Sequence, residues 1–121
     1  MNIIIYINEI LEQVKQPIDS NNLIIINNKL LQLYYLIESI AQEENLNIEW
    51  DNRLERQYGE NHNDPYILLK LTIAYINDMK DIFNQYRDVL QDDISAKTDM
   101  LRHIKRKINL AQSSLFEYQN K

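Results

Sequence analysis

The chain has 121 residues and a net charge of −5, with no cysteine, one glycine and two prolines. The absence of cysteine excludes disulfides, thiolate metal sites and a cysteine nucleophile. Sheet-rich proteins make their tight turns with glycine and proline, so a chain this poor in both is expected to be all-α. Its length favours one domain, and we predict a helical bundle over residues 1–121 with four long helices and one short helix, mostly antiparallel.

The apolar segments indicate neither export nor a membrane. No basic segment precedes the apolar run near the N-terminus, which is unlike a signal peptide. Residues 23–41 are the best candidate for a span, but Asn27, Asn28, Lys29, Gln32 and Glu38 interrupt them. We therefore expect a cytoplasmic protein with no membrane partner.

Helical periodicity predicts the first two helices. The first covers residues 2–15 with one apolar face, and Pro17 ends it because the residue before proline disfavours the helical conformation. The second begins at a cap among residues 19–21 and runs to about Glu44. Its predicted core positions form a heptad seam that Ile24, Leu31 and Tyr34 widen, and this seam also allows a homodimer. The seam residues are Leu23, Ile26, Leu30, Leu33, Ile37 and Ile40.

The remaining helices follow from spacing and caps. Apolar residues four apart from Leu46 to Tyr58 predict a short helix, which Gly59 would end. Asp64 followed by Pro65 predicts the start of a long helix. We expect a break near residues 92–95, so that the last two helices form an antiparallel hairpin rather than one rod. The predicted core of this hairpin comprises Leu68, Leu71, Tyr75, Met79, Ile82, Tyr86, Val89, Ile94, Leu101, Ile104, Ile108, Ala111, Leu115 and Tyr118.

The acidic segment over residues 43–64 is the best candidate for partner recognition. It carries a net charge of −5 and contains the only tryptophan of the chain. Aromatic anchors inside a charged rim are typical of protein-binding surfaces, and acidity accelerates encounter with a basic partner. The predicted partner-binding residues are Glu49, Trp50, Asp51, Glu55, Tyr58 and Glu60.

Arg56 and His62 form a second candidate site. Five residues separate them, which resembles the Arg-x(4–6)-His signature of HEPN-type ribonucleases, a family of small all-α proteins. The resemblance implies metal-independent RNA cleavage by Arg56 and His62 in a dimer cleft. Gln57 follows the arginine here, where that family favours Asn, His or Asp.

The last helix supplies a third candidate, a basic surface. Residues 97–121 carry a net charge of +4, whereas residues 1–96 carry −9. Such a patch either contacts nucleic acid, as a subunit of a nucleoprotein assembly would, or pairs with the acidic helices of its own bundle. Its residues are Lys97, Arg102, Lys105, Arg106 and Lys107.

We weigh a non-catalytic protein-binding role above these alternatives. The chain lacks a glycine-rich phosphate loop and the His-Glu-x-x-His and Glu-x-x-His motifs, so no cofactor and no metal are expected. Its small size, acidity and all-α character resemble bacterial immunity proteins, antitoxins and other inhibitors. That resemblance implies neutralisation of a basic toxin or nuclease through an acidic surface.

Overall fold

The computed structural model describes residues 3–49, 64–88 and 93–120, and these residues contain four helices and no strand. The helices are α1 (Ile3–Val14), α2 (Ser20–Glu43), α3 (Pro65–Tyr86) and α4 (Ile94–Gln119). The predicted all-α bundle is confirmed for this part of the chain.

The four helices surround one core, with α1 and α4 each packed between α2 and α3. Side chains that meet across the helix pairs show that neighbours run antiparallel. The end of α2 and the start of α3 therefore lie at opposite ends of the bundle, and residues 44–64 connect them. The cross-helix contacts are Asn22–Gln13, Lys29–Glu9, Asn27–Gln119, Lys97–Glu44, Thr72–Ser114 and Lys107–Asp78.

Most predicted core positions are buried. Full burial of an Ile, Leu or Met side chain contributes about 1.5–3 kcal/mol, so this cluster is the main source of stability. The buried apolar residues are Ile3, Ile7, Ile10, Ile26, Leu30, Leu33, Ile37, Ala41, Ile48, Leu68, Ile76, Met79, Met100, Leu101, Ile104, Ile108, Ala111 and Leu115.

Three predicted apolar contacts are wrong. Ile24 and Leu31 are 56% and 42% exposed, because the seam of α2 already fills its inward face and these two residues lie on the opposite face. Ile94 is 73% exposed because it begins α4 at the end of the bundle. Tyr34, in contrast, packs against the core as predicted.

The starts of α2 and α3 agree with the predicted caps, and α4 begins at an aspartate cap of the same kind. The carboxylates of Asp19, Asp64 and Asp93 accept hydrogen bonds from backbone N–H groups in the first turns of α2, α3 and α4. Each bond satisfies a donor that a helix start otherwise leaves unpaired. α3 ends at Tyr86 and α4 begins at Ile94, and the contacts Thr72–Ser114 and Lys107–Asp78 show that the two helices run antiparallel, as predicted. Val89 of the predicted hairpin core lies outside the described residues.

The prediction of a fifth, short helix does not hold for the residues described. Its first residues, 46–49, are not helical. Asn45 has a positive φ of 57°, and the Leu46 N–H donates a hydrogen bond to the Ala41 carbonyl at 2.8 Å. These two features form a Schellman motif, which ends the helix. Leu46 and Ile48 then pack back against the core. Residues 50–63, including Gly59, lie outside the described residues.

Candidate functional site

The C-terminal end of α2 concentrates negative charge. Glu43 is the last residue of the helix and Glu44 is its C-cap, and no basic residue occupies the last turn. A helix C-terminus carries a partial negative charge of its own, so carboxylates at this place oppose helix stability. Glu49 follows on the non-helical segment, and we call Glu43, Glu44 and Glu49 the acidic end.

Glu43 and Glu49 form no ion pair within the described residues. Lys97 of α4 pairs with Glu44, with Nζ 2.6 Å from Oε1. Both Glu43 and Glu49 are exposed, and neither forms an ion pair with a basic residue in the part of the chain that the structure describes. This pair of carboxylates is therefore available to attract positive charge.

A shallow groove of about 310 Å³ lies beside the acidic end. It runs between the last turns of α2, the segment after them, and Lys105 of α4. The Lys105 Nζ lies 2.6 Å from Glu38 Oε1 and its side chain is only 16% exposed, so this lysine is neutralised within the bundle. The groove is lined by Glu38, Ala41, Gln42, Leu46, Asn47, Ile48, Glu49 and Lys105.

Arg102 fixes the segment that carries Glu49. Its Nη2 donates a 2.7 Å hydrogen bond to the Asn47 carbonyl, and its Nη1 lies 3.4 Å from the Asp99 carboxylate. The Asn47 side chain in turn accepts a hydrogen bond from the Glu49 N–H at 3.1 Å. These bonds tie the segment that carries Glu49 to α4 beside the end of α2.

The basic residues of α4 contact different helices and do not form one continuous surface. Lys97 and Lys105 pair with α2, whereas Lys107 pairs with Asp78 of α3 at 2.9 Å. Lys107 also lies 5.4 Å from the ring centroid of Tyr75. Burial, with a smaller effect of the Asp78 charge, raises the pKa of Tyr75 above its usual value. Arg106 is half-buried on the same helix.

Several predicted site residues lie outside the described residues. Glu49 is the one member of the predicted partner-binding set that the structure describes, and it is exposed. Trp50, Asp51, Glu55, Tyr58 and Glu60 lie in the range that it does not describe, and so do Arg56 and His62.

The described residues contain neither a metal-binding cluster nor a membrane-spanning helix. Within 3–49, 64–88 and 93–120, no group of three His, Asp or Glu side chains is arranged to hold a metal ion. No helix in those ranges has the length and apolar character that crossing a bilayer requires.

No family model matches the chain, and neither a curated protein nor a solved structure resembles it significantly. The residues of this chain and their contacts are therefore what bears on its function.

Proposed function

We propose that the protein is a non-catalytic binding protein of the immunity or antitoxin type, which inhibits a basic toxin or nuclease through its acidic end and the residues that follow. The observation that carries this proposal is the placing of Glu43 and Glu49. Both are exposed, and Glu43 lies in a last helical turn that has no basic residue. Carboxylates at a helix C-terminus lower the stability of that helix. Proteins break such local rules mainly at functional sites, so we expect these carboxylates to serve in binding.

The contacts of α4 support an acidic rather than a basic binding surface. Lys97, Lys105 and Lys107 are each at most 20% exposed and each contacts a carboxylate of a neighbouring helix. A phosphate backbone would have to displace these carboxylates, which lowers the electrostatic gain of binding. A basic protein instead meets the exposed carboxylates of Glu43 and Glu49, and the opposite charges accelerate encounter.

The position of the acidic end also suits a docking site. Arg102 donates a hydrogen bond to the Asn47 carbonyl, which ties the segment that carries Glu49 to α4. A preorganised surface loses less conformational entropy on binding than a mobile one. The predicted partner-binding residues 50–60 directly follow this segment in the chain.

Association kinetics test the proposal. The tagged chain is used to capture its partner from native lysate, and the purified partner is then measured against three forms of the chain. Reversing the charge of Glu49, Asp51 and Glu55 to lysine is expected to lower the association rate constant at least tenfold and to flatten its salt dependence. The matched control reverses Glu12, Asp81 and Glu117, which changes the net charge equally.

Two results would contradict this function. The first is an equal loss of association rate in both triple variants, since only the total charge would then matter. The second is RNA cleavage by the purified, metal-free chain that disappears on substitution of His62 by alanine, because the protein would then be a ribonuclease.

A further inference from the structure

The outward face of α2 is uncharged and carries three large exposed side chains. Ile24, Leu31 and Tyr35 are 56%, 42% and 62% exposed, and their spacing places them in one stripe along the helix. Asn28 lies between Ile24 and Leu31 on the same stripe and is also exposed. We call Ile24, Asn28, Leu31 and Tyr35 the outer stripe. It is separate from the inner seam, which the bundle core already uses.

The absence of charge extends well beyond the outer stripe. Every exposed residue of α2 before Glu43 is uncharged, whereas the exposed residues of α1 and α3 include Glu9, Glu12, Lys70, Lys80 and Asp81. The two charged residues of α2 before Glu43 are directed sideways, since Lys29 pairs with Glu9 of α1 and Glu38 with Lys105 of α4. Depletion of charge combined with exposed aromatic and aliphatic side chains distinguishes the centre of a protein interface from other surface.

We infer that the outer stripe binds the outer stripe of a second copy, forming a symmetric dimer in which the two α2 helices run parallel. A chain with a net charge of −5 repels its own copies over most of its surface. The uncharged face of α2 brings no like charges together, so two copies can approach there without that cost. A basic partner, in contrast, finds no carboxylate on this face to attract it.

The parallel direction follows from Asn28. In a parallel pair each residue of the stripe faces its own copy, so the two Asn28 amides can hydrogen-bond to each other. In an antiparallel pair centred on the stripe, Asn28 would face Leu31 of the second copy and its amide would be covered by an apolar side chain. A single asparagine within an apolar seam is a known device for fixing the register of a helix pair.

The size of the face agrees with a dissociable dimer. The 24 residues of α2 extend about 36 Å at roughly 1.5 Å per residue. A face one helix wide, about 10 Å, then has an area on the order of 400 Å², below the roughly 800 Å² per partner of a standard interface, so the dimer is expected to be weak and reversible.

Sedimentation of the purified chain over a concentration series tests the dimer. The unchanged chain is expected to dimerise reversibly, and Leu31→Glu is expected to raise the dissociation constant at least tenfold, because it places two carboxylates opposite each other. Ile94→Glu is the matched control, since Ile94 is exposed at the start of α4 and away from this face. A monomer at all concentrations, or equal dimerisation of the Leu31→Glu variant, would overturn the proposal.

The absence of native cysteine allows a direct test of the orientation. Asn28→Cys is expected to form an intermolecular disulfide under mild oxidation, because a parallel pair brings the two residues together. Asn77→Cys on the exposed face of α3 is the control and should cross-link far more slowly. Equal rates for the two variants would exclude the parallel arrangement, even if the sedimentation result held.

Discussion

At the scale of single residues, the buried hydroxyl pair between α3 and α4 is the feature most sensitive to substitution. Thr72 Oγ1 and Ser114 Oγ lie 2.6 Å apart in the core, and each also contacts a backbone carbonyl of its own helix. A buried hydroxyl that loses a partner retains most of its desolvation cost. The two side chains should therefore be energetically coupled.

A double-mutant cycle tests this coupling. We expect Thr72→Val and Ser114→Ala each to lower the free energy of unfolding by about 1 kcal/mol, and the double variant to lose about 0.5–1 kcal/mol less than the sum. Urea unfolding measures all four proteins. Thr98→Val is the control, because Thr98 makes the same backbone bond in a less buried place and should change stability by less than about 0.5 kcal/mol. Additive losses would show that the pair is not coupled.

At the scale of helices, Asn22 connects the end of α1 to the start of α2. Its side-chain amide is buried and donates to the Gln13 carbonyl at 2.8 Å and to the Pro17 carbonyl at 3.3 Å. We expect Asn22→Ala to cost about 1–3 kcal/mol because it leaves these carbonyls without the buried donor. Hydrogen exchange should become faster throughout α1, whose docking depends on this turn.

The neighbouring asparagine provides the control for that experiment. Asn21 is exposed and lies in the same first turn of α2, so Asn21→Ala should change stability by less than about 0.5 kcal/mol. If both substitutions cost the same, the effect would come from helix propensity and not from the bonds to α1.

The helix starts could be predicted from the sequence, because an aspartate cap and a proline at the first position act locally. The sequence did not reveal that the outer stripe of α2 faces away from the core. Both stripes have helical spacing, and only the positions of α1 and α4 decide that Leu30 faces inward while Leu31 faces outward. The absence of helix at residues 46–49 was similarly obscured, since the left-handed Asn45 turns the chain while Leu46 continues the apolar rhythm.

The sequence indicated which residues form the candidate site, but not which residues they contact. The acidic segment was visible in the sequence, and Glu49 is exposed as a partner-binding residue must be. The pairing of Lys97 with Glu44 and of Lys105 with Glu38 joins residues more than fifty positions apart, and no local signal encodes it. These pairs distinguish a basic binding surface from a helix whose charge is neutralised by its own bundle.

At the scale of the whole molecule, electrostatic attraction between helices is expected to contribute to stability. Lys97 and Lys105 join α4 to α2, and Lys107 joins α4 to α3. Replacing all three lysines by glutamine leaves Glu44, Glu38 and Asp78 without their cations and makes the net charge −8. With about 0.2–1 kcal/mol for each exposed pair, we expect a loss of roughly 1–3 kcal/mol in urea unfolding at low salt.

The salt dependence identifies the cause of that loss. High salt screens repulsion among the remaining carboxylates, so it should restore part of the stability of the triple variant. Replacing Lys15, Lys70 and Lys80 by glutamine removes the same total charge, but none of these lysines pairs with a carboxylate of another helix within the described ranges. That control should lose clearly less stability at low salt. If the two triple variants lost the same amount, net charge alone would govern stability and the pairs between helices would contribute nothing specific.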